Sequence, residues 1–310
     1  MTTDPNPAHL AQARAQDLAA RLPPLLVAAQ RVAASLTGGS HGRRRAGPGE
    51  TFWQYRRAVP GDAAAAIDWR RSARGPGLYV RESEWAASQG IWLWGDASGS
   101  MEWRSLAQLP TKAERARLLA LALAAGLLNG GERVALLQDG SAPASGSGIL
   151  PRLAAALLSP QAHTGLPRPH RPPRHGEIVL ISDFLHPADS IAAEIAALAA
   201  HGASGHLLQV MDPAEETLPY AGPVRFAGLD GEAEITSRRA EDWRQPYGDR
   251  VRAHRDAVAA SAAAHGWSFA IHHTDQPPQH ALLALYNRLS LPRSGMLSLP
   301  RDGMRGGMGR

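Results

Sequence analysis

The sequence predicts an α/β protein built on a doubly wound, mainly parallel sheet. From residue 89 to residue 290, short apolar runs that end in turn residues alternate with longer segments of helical periodicity. Parallel strands joined by crossover helices produce this alternation, and helices then cover both faces of the open sheet. Because ligands in such folds bind beyond the carboxyl ends of the strands, the residues that follow each apolar run are candidates for a site.

The predicted elements of this region follow one another without a repeat. Strands are expected at residues 91–95, 132–138, 177–182, 206–211 and 267–272, and helices at 112–128, 150–158, 188–200, 242–265 and 278–289. Trp92 and Trp94 alternate with Ile91 and Leu93 in the first strand, which predicts that the side chains fill both faces of a covered sheet.

The flanking segments differ in composition from this region. Residues 1–37 predict a helical N-terminal arm that Pro23-Pro24 divides into two helices. Residues 38–88 are rich in Gly, Arg and Trp and predict a small irregular or β-rich module, and a short apolar stretch at 224–227 predicts a hairpin beside the main sheet. Residues 291–310 lack periodicity and predict a disordered tail.

Composition excludes several kinds of chemistry. The 310 residues are 44% hydrophobic and 20% charged, as in proteins with a packed core. There is no cysteine, which excludes disulfides, thiolate nucleophiles and cysteine-ligated metals. The net charge of +5 and the pI near 10.2 come almost entirely from arginine, since Lys112 is the sole lysine, so they give little support to a nucleic-acid partner.

The sequence also indicates in which cellular compartment the protein is expected. Residues 1–10 contain neither a basic segment nor an apolar core of the kind found in signal peptides. The longest apolar run, residues 118–128, is too short to cross a bilayer. We therefore expect a cytoplasmic protein without a membrane span.

The motif that carries most information is Asp96-Ala97-Ser98-Gly99-Ser100, a D-x-S-x-S sequence that follows the first buried strand. One carboxylate and two hydroxyls on a tight turn bring hard oxygen atoms to one point, which suits a small divalent cation such as Mg²⁺. Asp183 ends another predicted strand, and parallel strands would bring it to the same sheet edge. The two carboxylates would then share one cation, which would offset their mutual repulsion.

This arrangement resembles the metal-ion-dependent adhesion site of von Willebrand factor A domains, in which D-x-S-x-S is joined by a distant Thr and a distant Asp. Thr164 and Asp183 are the matching residues here. The resemblance implies a von Willebrand factor A-like domain at residues 89–290 and a site for Mg²⁺, with Mn²⁺ or Ca²⁺ as substitutes. It also implies that the hydroxyls contact the metal directly or through water, and that a partner protein's acidic side chain completes the coordination.

The segment before the first strand is similar to the bacterial family known as domain of unknown function 58. The resemblance covers roughly residues 38–289 and rests on Gly47-Pro48-Gly49-Glu50-Thr51-Phe52, Tyr55-Arg56, Pro60-Gly61-Asp62, Ile67-Asp68-Trp69, Ser72-Ala73-Arg74 and Val80-Arg81-Glu82. Members of that family are commonly associated with MoxR-type AAA+ ATPases. The resemblance therefore implies an adaptor or chaperone-like role and no enzymatic activity.

Two other functions remain open from the residues. A magnesium-dependent phosphohydrolase could use Asp96 as nucleophile, but Ser98 stands where enzymes of the haloacid dehalogenase type carry a second Asp. A nucleic-acid-binding module could use Arg70, Arg71 and Arg74, although Arg-rich segments with Trp more often form salt-bridged structural faces.

Overall fold

The computed structural model describes residues 7–290 except 37–45, 48–50, 60–66, 85–89, 160–164, 168–175 and 232. The strands are β1 (Ala46–Gly47), β2 (Thr51–Arg57), β3 (Tyr79–Glu84), β4 (Gly90–Gly95), β5 (Arg133–Leu136), β6 (Glu177–Ser182), β7 (Ser204–Met211), β8 (Val224–Phe226), β9 (Ile235–Ser237) and β10 (Ser268–His273). The helices are α1 (Pro7–Ala34), α2 (Trp69–Ser72), α3 (Lys112–Asn129), α4 (Ile149–Leu158), α5 (Ala188–Ala199), α6 (Pro213–Thr217), α7 (Arg244–Ala264) and α8 (Pro278–Ser290).

The main sheet has five strands in the order β10-β7-β6-β4-β5, and every neighbouring pair is parallel. The chain passes from β4 to β5 on one side and then crosses back to β6 on the other side of β4. The strand order therefore reverses between β4 and β6. This confirms the predicted α/β class and its parallel sheet.

Two apolar cores lie on the two faces of the sheet. Alternate residues of β4 face opposite ways: Ile91 and Leu93 join the core formed with α3, α4 and α8, whereas Trp94 joins the core formed with α5 and α7. Burial of each such side chain is worth about 1.5–3 kcal/mol, so both faces contribute strongly to stability. Three layers result, and the predicted filling of both faces by this strand is confirmed.

Helix α3 is the most buried helix of the first core. Thr111 and Glu114 form a capping box at its start, which satisfies two backbone N–H groups. From Leu119 to Leu127 every residue of α3 is buried, and alanines among them allow close packing against the sheet and against α1. The cap sets where the helix begins and therefore where Lys112 lies.

Helix α1 is continuous from Pro7 to Ala34, so the prediction that Pro23-Pro24 divides it into two helices is wrong. An interior proline costs about 3 kcal/mol. Packing opposes that cost, because α1 lies against α3 and α4. One face of α1 carries apolar residues at helical spacing that belong to the first core or pack against it. These residues are Leu22, Leu25, Leu26, Ala29, Val32 and Ala33.

Two smaller sheets lie outside the main one. Strands β2 and β1 flank β3 in an antiparallel sheet within the Gly/Arg/Trp-rich segment. Strands β8 and β9 form an antiparallel hairpin, as the apolar stretch at 224–227 predicts. Residues 291–310, for which a disordered tail is predicted, lie outside the described residues.

Among the helices of the described ranges, none combines the length and the apolar character that a bilayer crossing requires.

Burial of His272 predicts a pH-dependent stability. Its side chain is 1% exposed, and burial together with the nearby Arg115 charge lowers the pKa from 6.5 to about 4. The unfolded chain therefore binds one more proton than the folded protein between these pH values. Stability from this group is complete above pH 6.5 and decreases as the pH falls, by up to about 1.4 kcal/mol per pH unit.

The His272→Leu variant should lack this component. Urea unfolding of both proteins at pH 7, 6 and 5 should show a smaller loss of stability on acidification in the variant. Parallel curves of unfolding free energy against pH would contradict the assignment.

Candidate functional site

The candidate site lies where the strand order reverses. Gly95 pairs with Ile181 in the parallel register of β4 and β6, so the residues that follow the two strands are neighbours. The Asp96 backbone N–H donates to the Ile181 carbonyl at 2.9 Å, and the Ser182 hydroxyl donates to Asp96 Oδ2 at 2.6 Å. Open α/β sheets bind ligands at this kind of switch point.

The D-x-S-x-S segment turns tightly over these strand ends. The Ser98 N–H donates to Asp96 Oδ1 at 2.8 Å, and a 3-10 turn follows at Gly99–Glu102. The hydroxyls of Ser98 and Ser100 lie 3.1 Å apart, and Ser100 donates to Asp183 Oδ2 at 2.8 Å. Four residues named from the sequence, Asp96, Ser98, Ser100 and Asp183, therefore form one cluster. Thr164, the fifth, lies outside the described residues.

The cluster is buried, and its carboxylates affect each other. Asp96 is 4% exposed and Asp183 is 1% exposed. Burial raises the pKa of Asp96, and the Asp183 charge adds to this effect, while hydrogen bonds from Ser182 and Ser98 oppose it. Two carboxylates held this close would gain stability from a compensating positive charge.

Lys112 provides one such charge, and sequence reasoning did not identify it as a site residue. Its Nζ atom donates to Asp183 Oδ2 at 2.8 Å and to Glu215 Oε1 at 2.5 Å, and its side chain is fully buried. Burial acts to lower the pKa of Lys112, but the charges of Asp183 and Glu215 outweigh it and raise that pKa. The available signal was that the sole lysine of the chain follows the N-cap residue Thr111.

Glu215 comes from the short helix α6 that follows β7. Asp212 caps this helix by accepting from the Ala214 N–H, and Glu215 Oε2 accepts from the Asp212 N–H at 3.0 Å. The other carboxylate oxygen of Glu215, Oε1, accepts from Lys112. Burial raises the pKa of Glu215, and Lys112 offsets part of that rise. The sequence Asp212-Pro213-Ala214-Glu215 is a capping-box signal that could have located this helix.

Asp230 lies in the connection between β8 and β9 and contacts the D-x-S-x-S turn. Its carboxylate accepts from the Gly99 N–H at 2.6 Å and from the Ser100 N–H at 3.1 Å. The hairpin is therefore attached to the D-x-S-x-S turn itself. A Cβ atom at residue 99 would lie 2.4 Å from the Leu229 carbonyl oxygen, so this approach requires Gly99.

The donor set suits a hard divalent cation. Within the described ranges, no three His, Asp or Glu side chains are grouped so that they could hold a metal by themselves. The cluster offers two carboxylates and two hydroxyls instead, and these are the oxygen ligands that Mg²⁺ and Ca²⁺ prefer. The ammonium of Lys112 contacts two carboxylates, those of Asp183 and Glu215, and Asp96 adds a third carboxylate to the cluster, so the ionised cluster carries an excess of negative charge.

Comparison with known proteins identifies sequence relatives. A family model described as "Protein of unknown function DUF58" matches residues 54–257. An uncharacterized protein of Mycobacterium bovis is 30% identical over 237 residues, and the match covers 69% of this chain and 71% of that protein. Uncharacterized proteins of two strains of Mycobacterium tuberculosis match with the same identity and coverage.

Two solved structures are also similar. The conserved hypothetical protein BatB from Bacteroides thetaiotaomicron is 16% identical, with a TM-score of 0.36, and the match covers 66% of this chain and 98% of that one. An aerotolerance-related membrane protein from Bacteroides fragilis is 18% identical, with a TM-score of 0.33, and the match covers 64% of this chain and 98% of that one. At these TM-scores neither similarity contributes to the assignment of function.

Removal of the Lys112 charge should destabilise the fold. Lys112→Met keeps a similar volume but leaves Asp183 buried without its cation, which costs about 3–5 kcal/mol. The double variant Lys112→Met, Asp183→Asn should recover part of that loss. The measurement is the free energy of unfolding in urea at pH 7.

Arg117→Met is the matched control on the same helix. Arg117 pairs with Glu102, whose side chain is 52% exposed, and such surface pairs contribute about 0–1 kcal/mol. Equal losses in Lys112→Met and Arg117→Met would mean that Asp183 does not depend on the buried ammonium.

Proposed function

The chain belongs to the DUF58 family, and we propose that this member is a protein-interaction module whose binding depends on a divalent cation at the Asp96 cluster. The observation that carries the proposal is the chain of hydrogen bonds that links Asp96 to Ser98, Ser98 to Ser100 and Ser100 to Asp183. Three of these residues, Asp96, Ser98 and Ser100, follow strand β4 in one turn, whereas Asp183 follows the neighbouring strand β6. The family description assigns no activity, so the proposal rests on this chemistry.

The similarity to an adhesion site of von Willebrand factor A type supports the proposal. A D-x-S-x-S segment at a sheet's switch point, with a second Asp after the adjacent parallel strand, is the pattern that the resemblance implies. Asp96, Ser98, Ser100 and Asp183 would hold the cation, and Thr164 is the further ligand that the resemblance implies. When bound, the cation would attract and fix a carboxylate offered by the partner.

The surrounding residues would keep these ligands in position. Ser182 holds Asp96 Oδ2, and the Ser98 N–H holds Asp96 Oδ1, so the carboxylate cannot rotate freely. Lys112 restrains Asp183 Oδ2 in the same way. A site whose ligands are already oriented loses little conformational entropy on binding, which favours affinity.

The residue at position 98 weighs against the phosphohydrolase alternative. Enzymes of the haloacid dehalogenase type carry a second Asp two residues after the nucleophile, where it acts as a general acid. Ser98 stands at that position in this chain. A protein-binding role requires neither a free nucleophile nor a general acid.

We further propose a MoxR-type AAA+ ATPase as the partner and an adaptor or chaperone-like role for the complex. This step rests on the resemblance of residues 38–289 to the family and its association with such ATPases. The chemistry of the site adds one requirement, which is that the partner offers an acidic side chain.

Magnesium binding should depend on Asp96. Titration calorimetry with MgCl₂ or MnCl₂ should detect binding to the wild type that disappears in Asp96→Asn, because the amide removes the charge without changing the shape. Saturation at 100 times Kd should raise the free energy of unfolding by about 2.7 kcal/mol in the wild type alone.

Asp139→Asn is the matched control, since Asp139 is exposed just beyond strand β5 and outside the cluster. It should bind the metal as the wild type does. Absence of metal binding and of any metal-induced stabilisation in the wild type would refute a metal site in the isolated protein.

Partner binding should require both the cation and the cluster. Immobilised protein should retain a purified MoxR-type ATPase from the same bacterium in buffer with Mg²⁺ and release it when a chelator is added. Asp96→Asn should retain little, and Asp139→Asn should retain as much as the wild type. Retention that is insensitive to the chelator would show that the complex forms through another surface.

A further inference from the structure

An apolar cleft adjoins the cluster. A cavity of about 440 Å³ lies between the β8–β9 hairpin and helices α6 and α7, a size typical of ligand-binding pockets. Ser100 and Glu215 line this cavity. Ser100 belongs to the Asp96 cluster, and Glu215 contacts the cluster through Lys112. Its walls are mainly aromatic and aliphatic and include Trp103, Leu185, Leu218, Tyr220, Phe226 and Tyr247.

The outer wall of the cleft is fixed to the site. Asp230 binds the Gly99 and Ser100 N–H groups, and Leu229, its neighbour in the chain, lines the cavity. Phe226 stacks on Trp243 with ring centroids 5.9 Å apart. The wall is therefore held at two points, by the hydrogen bonds that Asp230 accepts from the turn and by the Phe226–Trp243 aromatic pair.

The cleft leaves large apolar side chains in contact with solvent. Leu185 is 53% exposed and Leu229 is 54% exposed, and both line the cavity. A single exposed Leu is ordinary on a protein surface, but two that line one cavity with several aromatic residues form an apolar surface that a ligand could cover.

A second, smaller cavity adjoins the cleft and contributes polar groups to this surface. This cavity shares Leu185, Glu215 and Tyr247 with the first and is bordered by Gln209 and Arg250. Gln209 is 3% exposed, and its Nε2 atom donates to the Asp183 carbonyl, whereas Oε1 has no partner among the described residues. The exposed guanidinium of Arg250 at the rim favours a ligand with negative charge.

We propose that the cleft binds a peptide segment of a partner protein in which a large apolar side chain stands next to an acidic residue. The apolar side chain enters the cavity lined by Phe226 and Tyr247, and the acidic side chain reaches the Asp96 cluster past Ser100. This inference rests on the proposed function, which it deepens by naming the sequence chemistry of the partner. The apolar contact would supply the specificity that a carboxylate alone lacks.

The test uses the full chain with Mg²⁺ and three fluorescein-labelled tetrapeptide amides, Ala-Phe-Asp-Ala, Ala-Ala-Asp-Ala and Ala-Phe-Asn-Ala. Fluorescence anisotropy should show the Phe-Asp peptide binding at least about tenfold more tightly than the Ala-Asp peptide, as expected for a buried aromatic ring. Binding of the Ala-Phe-Asn-Ala peptide should not depend on Mg²⁺.

Two variants separate the cleft from the metal site. Ala227→Trp places a large side chain on an exposed position that lines the cavity, and it should abolish the tenfold preference for Phe while leaving Mg²⁺ affinity unchanged. Ala221→Trp is the control, because Ala221 is also exposed, precedes the same hairpin and does not line the cavity. It should keep the preference.

The other possible outcomes distinguish a failure of the peptide-binding inference from a failure of the proposed function. If the Phe-Asp and Ala-Asp peptides bind equally and both require Mg²⁺, the apolar side chain does not bind in the cleft, whereas the proposed function is supported. A preference for Phe that persists in chelator and with the Asn peptide would overturn the link between cleft and cluster and count against the proposed function. No binding of the Phe-Asp peptide at millimolar concentration would overturn the inference, with calorimetry of Mg²⁺ then deciding the proposed function separately.

Discussion

The parallel pairing of β4 with β6 is the constraint on which the candidate site depends. The hydrogen bond from Asp96 to Ile181 extends the ladder by one residue, so Asp96 and Asp183 leave the sheet side by side. Since the strand order reverses here, the helices that come next in the two crossovers, α3 and α5, pack on opposite faces of the sheet, the arrangement in which a crevice forms beyond the strand ends. The sheet therefore concentrates carboxylates at the place where they can reach a ligand, and the rest of the structure has to compensate their charge.

Compensation comes from Lys112, which is distant in sequence from both aspartates. Lys112 at the start of α3 neutralises part of the charge, and α6 offers Glu215 as its second partner. The capping boxes of α3 and α6 set the positions of these two residues, because each box fixes where its helix begins. Local capping chemistry therefore controls a long-range ion pair, and the stability of the site is coupled to that of both helix ends.

The sequence identified the part of the site that depends on local patterns. The alternation of strands and helices, together with the D-x-S-x-S turn, was sufficient to predict that Asp96 and Asp183 meet at one edge. Lys112 and Asp230 were missed because their contacts join residues 71 and 131 positions apart, and no local pattern encodes such pairings. The continuous helix α1 was missed for a similar reason, since packing on α3 and α4 overrides the local effect of Pro23-Pro24.

The cluster and the cleft are built from different kinds of structure. The residues of the Asp96 cluster follow strands that belong to the two packed cores, and Asp96 and Asp183 are almost completely buried. The cleft wall instead belongs to a surface hairpin whose connection is attached through an exposed carboxylate, that of Asp230. Surface connections accept changes of sequence more readily than core strands do. Under the proposed function, such a fold can keep its cation site and change its partner through substitutions in the hairpin, so we expect specificity to reside in residues 224–230 and cation binding at the strand ends.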